Sequence, residues 1–321
     1  MTTDYVVLDR TGDKMPLRGF GVWKIAKDDA EDTVYKAVQA GYRLFDGACD
    51  YGNEVEVGRG INKAIADGLV KREDLFITTK LWNTFHGKDN VRPAFDRQLK
   101  DLGLEYVDLY LIHFPIPLKF VDFDTKYPPE WYVPDATTLT YERSPIHETW
   151  AEMEKLVDAG LVRNIGIANF NVQSILDMLT YCKYKPSVLQ VEIHPYLPQE
   201  RLVKWVQAQG IQITAYSSFG PTSYAAISEN GKQAQSLLDH ADVSSIASKH
   251  GVTTGQVLLK WAVEQDIAVI PKSVNEDRMK GNFELYTFSL DDQDKKQLGA
   301  LSSNQRFNNP MHYGFNLPLF D

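Results

Sequence analysis

Cysteine is nearly absent, with Cys49 and Cys182 the two present in 321 residues. A disulfide-stapled scaffold is therefore excluded, and two unpaired thiols suit a reducing cytosol, so a cytoplasmic location is expected. Residues 1–13 lack the basic start and apolar stretch of a signal peptide. No uninterrupted apolar run is long enough to cross a bilayer. No Asn-x-Ser/Thr acceptor site occurs. Basic clusters are missing as well, and the formal net charge is −9. That removes the electrostatic footprint of a nucleic-acid binder or a membrane-surface binder, so neither partner is expected. A Gly-x-Gly-x-x-Gly turn is also lacking. A doubly wound dinucleotide-binding sheet would need one after its first strand.

What is present is ordinary globular composition, 43% apolar and 24% charged. The length could hold two domains, but α/β barrels of this size often form one, so residues 1–321 are expected as a single domain. Eight short β-branched or aromatic runs recur, at 19–24, 44–48, 75–81, 107–114, 163–169, 188–193, 212–218 and 268–273. Most are apolar throughout, as strands buried on both faces are. Amphipathic stretches lie between them, the clearest at 146–159, 29–40 and 253–263. Gly41 and Gly160 supply helix stops and Thr253 a cap. Alternation of this kind over about 250 residues predicts an α/β fold, the (β/α)8 TIM barrel. Residues 5–17 read as a hairpin turning at Thr11-Gly12-Asp13 and capping the barrel floor. A long aromatic and proline-rich loop at 117–145 and a tail at 306–321 belong on the C-terminal face, where barrel enzymes bind substrate.

Strand ends in a barrel converge on one pocket. The second run ends near Asp46 and is followed by Tyr51, the third reaches Lys80, and the fourth reaches His113. These four types make chemical sense together. A free phenol has a pKa near 10, too high for an efficient acid at neutral pH. A neighbouring lysine is expected to lower it, and a carboxylate to hold that lysine charged and aimed. A neutral imidazole can orient a carbonyl oxygen. Lys272 follows the last run and Arg278 lies near the start of a helix, which makes a phosphate seat. Glu192 and His194 stand in a buried strand run with no further ligand nearby, so no metal is expected.

The stretch Gly41-Tyr-Arg-Leu-Phe-Asp46-Gly-Ala-Cys-Asp-Tyr51-Gly52-Asn-Glu resembles the first signature of the aldo-keto reductases. Ile270-Pro-Lys272-Ser273 resembles their cofactor signature. Leu-Gln190-Val-Glu192-Ile-His-Pro-Tyr and Thr214-Ala-Tyr216-Ser-Ser-Phe-Gly-Pro are similar too, so the resemblance covers essentially the whole chain. Within the family it is nearest the fungal xylose reductases, through Leu-Ile-His-Phe-Pro, Lys-Tyr127-Pro-Pro and Arg306-Phe-Asn308. The resemblance implies an NADPH-dependent aldose reductase acting on D-xylose or L-arabinose, as monomer or homodimer. It implies Tyr51 as proton donor, Lys80 and Asp46 as its tuning pair, and His113 as the orienting group. It further implies that Tyr216 stacks on the nicotinamide while Asn169 and Gln190 hold its carboxamide. Lys24, Ser217 and Phe219 would follow the pyrophosphate. Lys272, Ser273 and Arg278 would grip the 2′-phosphate, and Asn282 would contact adenine. Trp23, Asp50, Phe114 and Asn308 would line the sugar site.

The chain departs from the family pattern at several positions. Ala168 replaces the usual Ser before Asn169, Gly281 a longer polar residue, and Ile193 a His. Ala226 and Val274 stand where dual-cofactor relatives carry Glu and Asn. Neither side chain can accept from a ribose hydroxyl, so NADPH is expected to be preferred over NADH. Lys119 and Arg306 keep a uronate reductase open as an alternative, beside glyceraldehyde reduction. A non-enzymatic cofactor sensor would be marked by loss of the tyrosine or lysine, and both are present.

Overall fold

The computed structural model describes residues 4–131, 136 and 138–320. Parts of the expected long loop (132–135 and 137), the last tail residue and residues 1–3 lie outside the described residues. In chain order the strands are β1 (Tyr5–Val7), β2 (Lys14–Pro16), β3 (Gly19–Gly21), β4 (Leu44–Asp46), β5 (Phe76–Leu81), β6 (Val107–Ile112), β7 (Val162–Ala168), β8 (Val188–Glu192), β9 (Gln212–Tyr216) and β10 (Ile267–Val269). The helices are α1 (Lys27–Gln39), α2 (Glu54–Ala66), α3 (Lys88–Leu102), α4 (Ile146–Asp158), α5 (Val172–Leu179), α6 (Glu200–Ala208), α7 (Glu229–Gln233), α8 (Ala241–His250), α9 (Thr254–Val263), α10 (Glu276–Phe283) and α11 (Asp292–Gly299).

Strands β3 to β10 form one eight-stranded parallel sheet in sequence order. Its two edges also meet. Gly21 N donates to Pro271 O at 3.1 Å and Val269 N to Leu17 O at 2.9 Å, which closes the sheet into the expected barrel. Closure at this seam needs bare backbone. A Cβ built on Gly21 would fall 2.5 Å from the carbonyl oxygen of Ile270, so any side chain there forces the strands apart. β5 and β6 are buried at every position, which accounts for their largely apolar runs, and the polar Thr78, Thr79, Lys80 and Asp108 within them are buried too.

The expected helices are present. α4 buries Trp150, Met153 and Leu156 on one stripe, and Gly160 follows it at φ 73°. Thr253 caps α9 in a reciprocal box, its hydroxyl accepting from Gln256 N at 3.2 Å while Gln256 Oε1 accepts from Thr253 N at 3.0 Å. The hairpin β1–β2 plugs the floor with Leu8, Met15 and Leu17, all fully buried. It is tied to the start of β7 by an Arg163–Asp13 ion pair and by Thr11 Oγ1 donating to Asn164 Oδ1 at 3.0 Å. No helix among the described residues is long and apolar enough to cross a membrane.

The strands differ from expectation at one end. The expected runs continue past the ladders at their C-terminal ends, most clearly for β3 and β10. There the backbone turns out of the extended region. Lys24, Asn169 and Ser217 adopt φ of 61°, 64° and 55°, the left-handed region that non-glycine residues rarely enter. Residues read as strand are therefore the rim of the barrel mouth.

Gly21→Ala should lower the thermal midpoint, because inserting a methyl into packed backbone costs about 1–3 kcal/mol. Circular dichroism melting checks this, and an unchanged midpoint would mean that the β3–β10 seam is looser than described.

Candidate active site

Lys80 sits on β5 with its side chain sealed from solvent. An isolated buried ammonium would be very costly, so it must be paired. Its Nζ lies 2.6 Å from Asp46 Oδ1 at the end of β4, 2.8 Å from Gly47 O and 3.2 Å from Tyr51 Oη. The other Asp46 oxygen accepts from Gln190 Nε2 on β8 at 2.7 Å. Tyr51 reaches this pair from the 3-10 turn Cys49–Tyr51, which Gly52 ends at φ 73°.

The direction of the Tyr51 shift corrects the expectation from sequence. Burial, followed by the negative charges of Asp46 and Asp50, pushes its hydroxyl well above the ordinary phenol range. Lys80 does not reverse this, because its charge is matched by Asp46 at 2.6 Å. The phenol is thus held as an O–H donor, with an ammonium ready to receive a phenolate.

His113 follows β6 and its ring stacks on Phe114 at 5.1 Å between centroids. It meets Tyr51 edge-on at 6.0 Å. Its Nδ1 is 3.2 Å from Asp50 Oδ1, yet the two are not aligned and make no hydrogen bond. A chain of amides and phenols ties this region to the tail. Tyr313 Oη donates to Asn308 Oδ1 at 3.0 Å, and Asn308 Nδ2 to Tyr216 Oη at 2.9 Å. Tyr216 donates to Asn169 Oδ1 at 2.6 Å, and Asn169 Nδ2 to His113 O at 2.8 Å.

These groups open into one cleft of about 590 Å³ at the C-terminal ends of the strands. Asp46, Tyr51 and His113 line its floor beside Trp23, Asp50, Phe114 and Asn308. Asn169, Gln190, Tyr216, Ser217 and Phe219 line a second wall, with Lys24 and Lys272 at the mouth. Lys24 Nζ donates across that mouth to Ser223 O at 2.7 Å. Burial and then the Lys272 charge lower its pKa, as expected of two cations facing an anion seat. Lys80 lies beneath the wall rather than on it, and Ser273, Arg278 and Asn282 also stand off the cleft. Ser273 Oγ accepts from Asn275 N at 3.1 Å at the start of α10, and Arg278 occupies the first turn of that helix. A Cβ on Gly255 would meet Asn282 Oδ1 at 3.5 Å and Phe219 Cε1 at 3.6 Å. Those two side chains therefore pack against the same backbone at ordinary contact distance. Lys24 and Lys272 make the mouth of the cleft suited to an anionic ligand.

Several lining residues escaped the sequence reading. Trp82, Trp131, Tyr224, Tyr313 and Phe315 add an aromatic wall. Trp131, from the long loop, packs on Trp82 at 5.0 Å, on Phe114 at 5.2 Å and on Phe315 of the tail at 4.7 Å. Trp82 lies two residues after Lys80, just past the end of β5, so its place was available to the same argument that found Lys80. Glu192 holds the tail in position: its two carboxylate oxygens accept from Phe307 N and Asn308 N, both at 2.8 Å, and one also meets His194 Nε2 at 2.9 Å.

The aldo/keto reductase family model matches residues 16–303, and the chain belongs to that family. It is a nicotinamide-dependent oxidoreductase. It is 70% identical over 321 residues to 4-dihydromethyl-trisporate dehydrogenase of Mucor mucedo, covering 100% of both chains. It is 50% identical over 311 residues to the NAD(P)H-dependent D-xylose reductase of Aspergillus niger, covering 97% of each. The solved aldose reductase of Schistosoma japonicum matches with TM-score 0.85 and 37% identity, over 95% of this chain and 94% of that one.

Glu192→Ala should free the tail, since hydrogen bonds to a charged acceptor contribute about 1.5–3 kcal/mol each. Amide hydrogen exchange at Phe307 and Asn308 should accelerate by orders of magnitude while the barrel strands stay protected. Unchanged exchange would show that the tail is held by its aromatic contacts instead.

Proposed function

We propose that this chain, as one domain over residues 1–321, reduces the aldehyde of an aldopentose with NADPH, converting D-xylose to xylitol or L-arabinose to arabinitol. The observation that carries this is the half-buried Tyr51 hydroxyl 3.2 Å from Lys80 Nζ and beside His113, on the floor of a cleft whose mouth is cationic. Bound NADPH supplies the hydride to the carbonyl carbon. Tyr51 Oη–H gives its proton to the carbonyl oxygen, and Lys80 at 3.2 Å stabilises the phenolate left behind until solvent reprotonates it. His113 orients the same oxygen. Asp50 and Asn308 offer an acceptor and a donor to sugar hydroxyls, and Trp23 offers a flat wall.

Lys272, Ser273 and Arg278 would grip the 2′-phosphate, Lys24 and Ser217 the pyrophosphate, Asn169 and Gln190 the carboxamide. Ala226 lines the cleft and Val274 is exposed, so neither offers a carboxylate or amide to a ribose hydroxyl. This favours NADPH over NADH.

A second reading is favoured by the aromatic wall of Trp82, Phe114, Trp131 and Phe315. Such a surface suits a bulky apolar substrate, and the Mucor mucedo relative is named a dehydrogenase. In reverse, Tyr51 would first lose its proton to solvent, and the phenolate beside Lys80 would take the proton of an alcohol while the oxidised cofactor took up the hydride.

Three outcomes test these readings. Tyr51→Phe should lower kcat by about 10²–10⁴-fold with NADPH affinity nearly intact; retention of more than a tenth of kcat would remove Tyr51 as the acid. The kcat/KM ratio of NADPH to NADH should lie well above unity, and Arg278→Ala should weaken NADPH selectively through loss of a charged contact of about 1.5–3 kcal/mol; a ratio near one contradicts the phosphate seat. In a panel of aldopentoses, glyceraldehyde, a uronate and a bulky apolar aldehyde, Asn308→Ala should depress kcat/KM for xylose far more than for a hydroxyl-free aldehyde. A lead by the apolar aldehyde, insensitive to Asn308→Ala, moves the assignment to the second reading.

A further inference from the structure

Tyr51 is bracketed by two side chains that the proposed chemistry leaves unused. Cys49 opens its 3-10 turn, and Glu54 opens α2 just after it. Both are buried, and both reach the stretch of β5 that carries Lys80. Burial holds the Cys49 thiol well above its ordinary pKa, so it stays an S–H donor. Its Sγ donates to Lys80 O at 3.7 Å. Glu54 Oε1 accepts from Thr79 Oγ1 at 2.6 Å. The chain on either side of Tyr51 is thereby tied to residues 79 and 80.

Gln98, buried on α3, closes the arrangement. Its Nε2 lies 2.8 Å from Thr79 Oγ1, 3.0 Å from Lys80 O and 3.2 Å from Glu54 Oε1. Its Oε1 accepts from Tyr110 Oη on β6 at 2.7 Å, which sets the orientation of the amide. Successive strand residues face opposite ways, so Thr79 meets the helices while Lys80 turns inward. From outside the barrel wall, the knot grips the same stretch whose ammonium stands 3.2 Å from Tyr51 Oη inside it. Buried hydrogen bonds of this kind fix distances and angles that apolar contact leaves free. Glu54 Oε2 has no partner among the described residues. Burial, partly offset by Thr79 and Gln98, pushes the Glu54 carboxyl up to about 7, so an uncharged amide can take its place.

We infer that Cys49, Glu54 and Gln98 are positioning residues that hold Tyr51 Oη within hydrogen-bond reach of Lys80 Nζ. They act through Tyr51, and the inference rests on Tyr51 being the proton donor. Two readouts on the full chain with bound cofactor test it. The ¹³C signal of tyrosine Cζ, assigned with Tyr51→Phe, reports the Lys80 contact with NADP⁺ bound and no substrate present. The kcat for glyceraldehyde with NADPH reports the consequence. Glu54→Gln should leave both as in the wild type. Glu54→Met and Gln98→Met are similar in size but cannot make these hydrogen bonds. Both should shift the Tyr51 signal and lower kcat by up to about 10²-fold, the loss that a small misplacement of a reacting group brings, with KM for NADPH unchanged. Cys49→Ala should act in the same direction more weakly, and it covers the case in which the methionine variants do not fold. A Tyr51 signal unmoved in every variant that folds overturns the inference, even where the thermal midpoint falls. A wild type that reduces no aldehyde, with the Tyr51 signal still moved by the variants, overturns the proposed function instead and leaves the positioning role standing.

Discussion

A lysine ammonium sealed beneath a cleft cannot remain charged without a partner, and the partner chosen here determines where everything else stands. Asp46 holds Lys80 at 2.6 Å and in turn accepts from Gln190, so one ion pair spans β4, β5 and β8. The Gly47 carbonyl takes a second ammonium hydrogen, which leaves the third for Tyr51. Removing either ion would leave an uncompensated charge in the barrel, a defect that typically costs about 3–5 kcal/mol. Because the pair is locally neutral, burial dominates at the phenol and keeps it protonated.

Around this fixed point the cleft is assembled from pieces that have left regular structure. Lys24, Asn169 and Ser217 turn outward at positive φ just past their strands, and the strain is held by the closed barrel beneath. The long loop and the tail contribute Trp131 and Phe315, which meet each other over Trp82 and Phe114. The tail is set by Glu192 through backbone amides, and Asn308 then joins the chain Tyr216–Asn169–His113. Polar positioning thus extends from the tail to the reaction centre without passing through solvent.

Much of this was legible in the residues. Alternation of buried runs and amphipathic stretches specifies the barrel, and Asp46, Tyr51, Lys80 and His113 meet because strand ends must converge. The errors have physical causes. Strand ends were overrun because Trp23, Phe114 and Ile270 have strand-like side chains, whereas the turn is set by backbone angles at their neighbours. The sign of the Tyr51 shift depends on how deeply the phenol is buried, and spacing does not reveal depth. Glu192 beside His194 suggested, and was denied, a metal role; its work on Phe307 and Asn308 uses amide hydrogens, which no residue type announces. The aromatic wall pairs residues remote in sequence, so only folding brings Trp131 to Phe315.

The central claim is that the Lys80–Asp46 pair keeps Tyr51 a protonated donor rather than a poised phenolate. ¹³C-NMR of the full chain labelled at tyrosine Cζ, assigned with Tyr51→Phe, measures that state directly as pH is raised. The account predicts that the Tyr51 signal stays at its protonated position after exposed tyrosines have titrated near pH 10. Titration of Tyr51 below that range, toward neutrality, would contradict it.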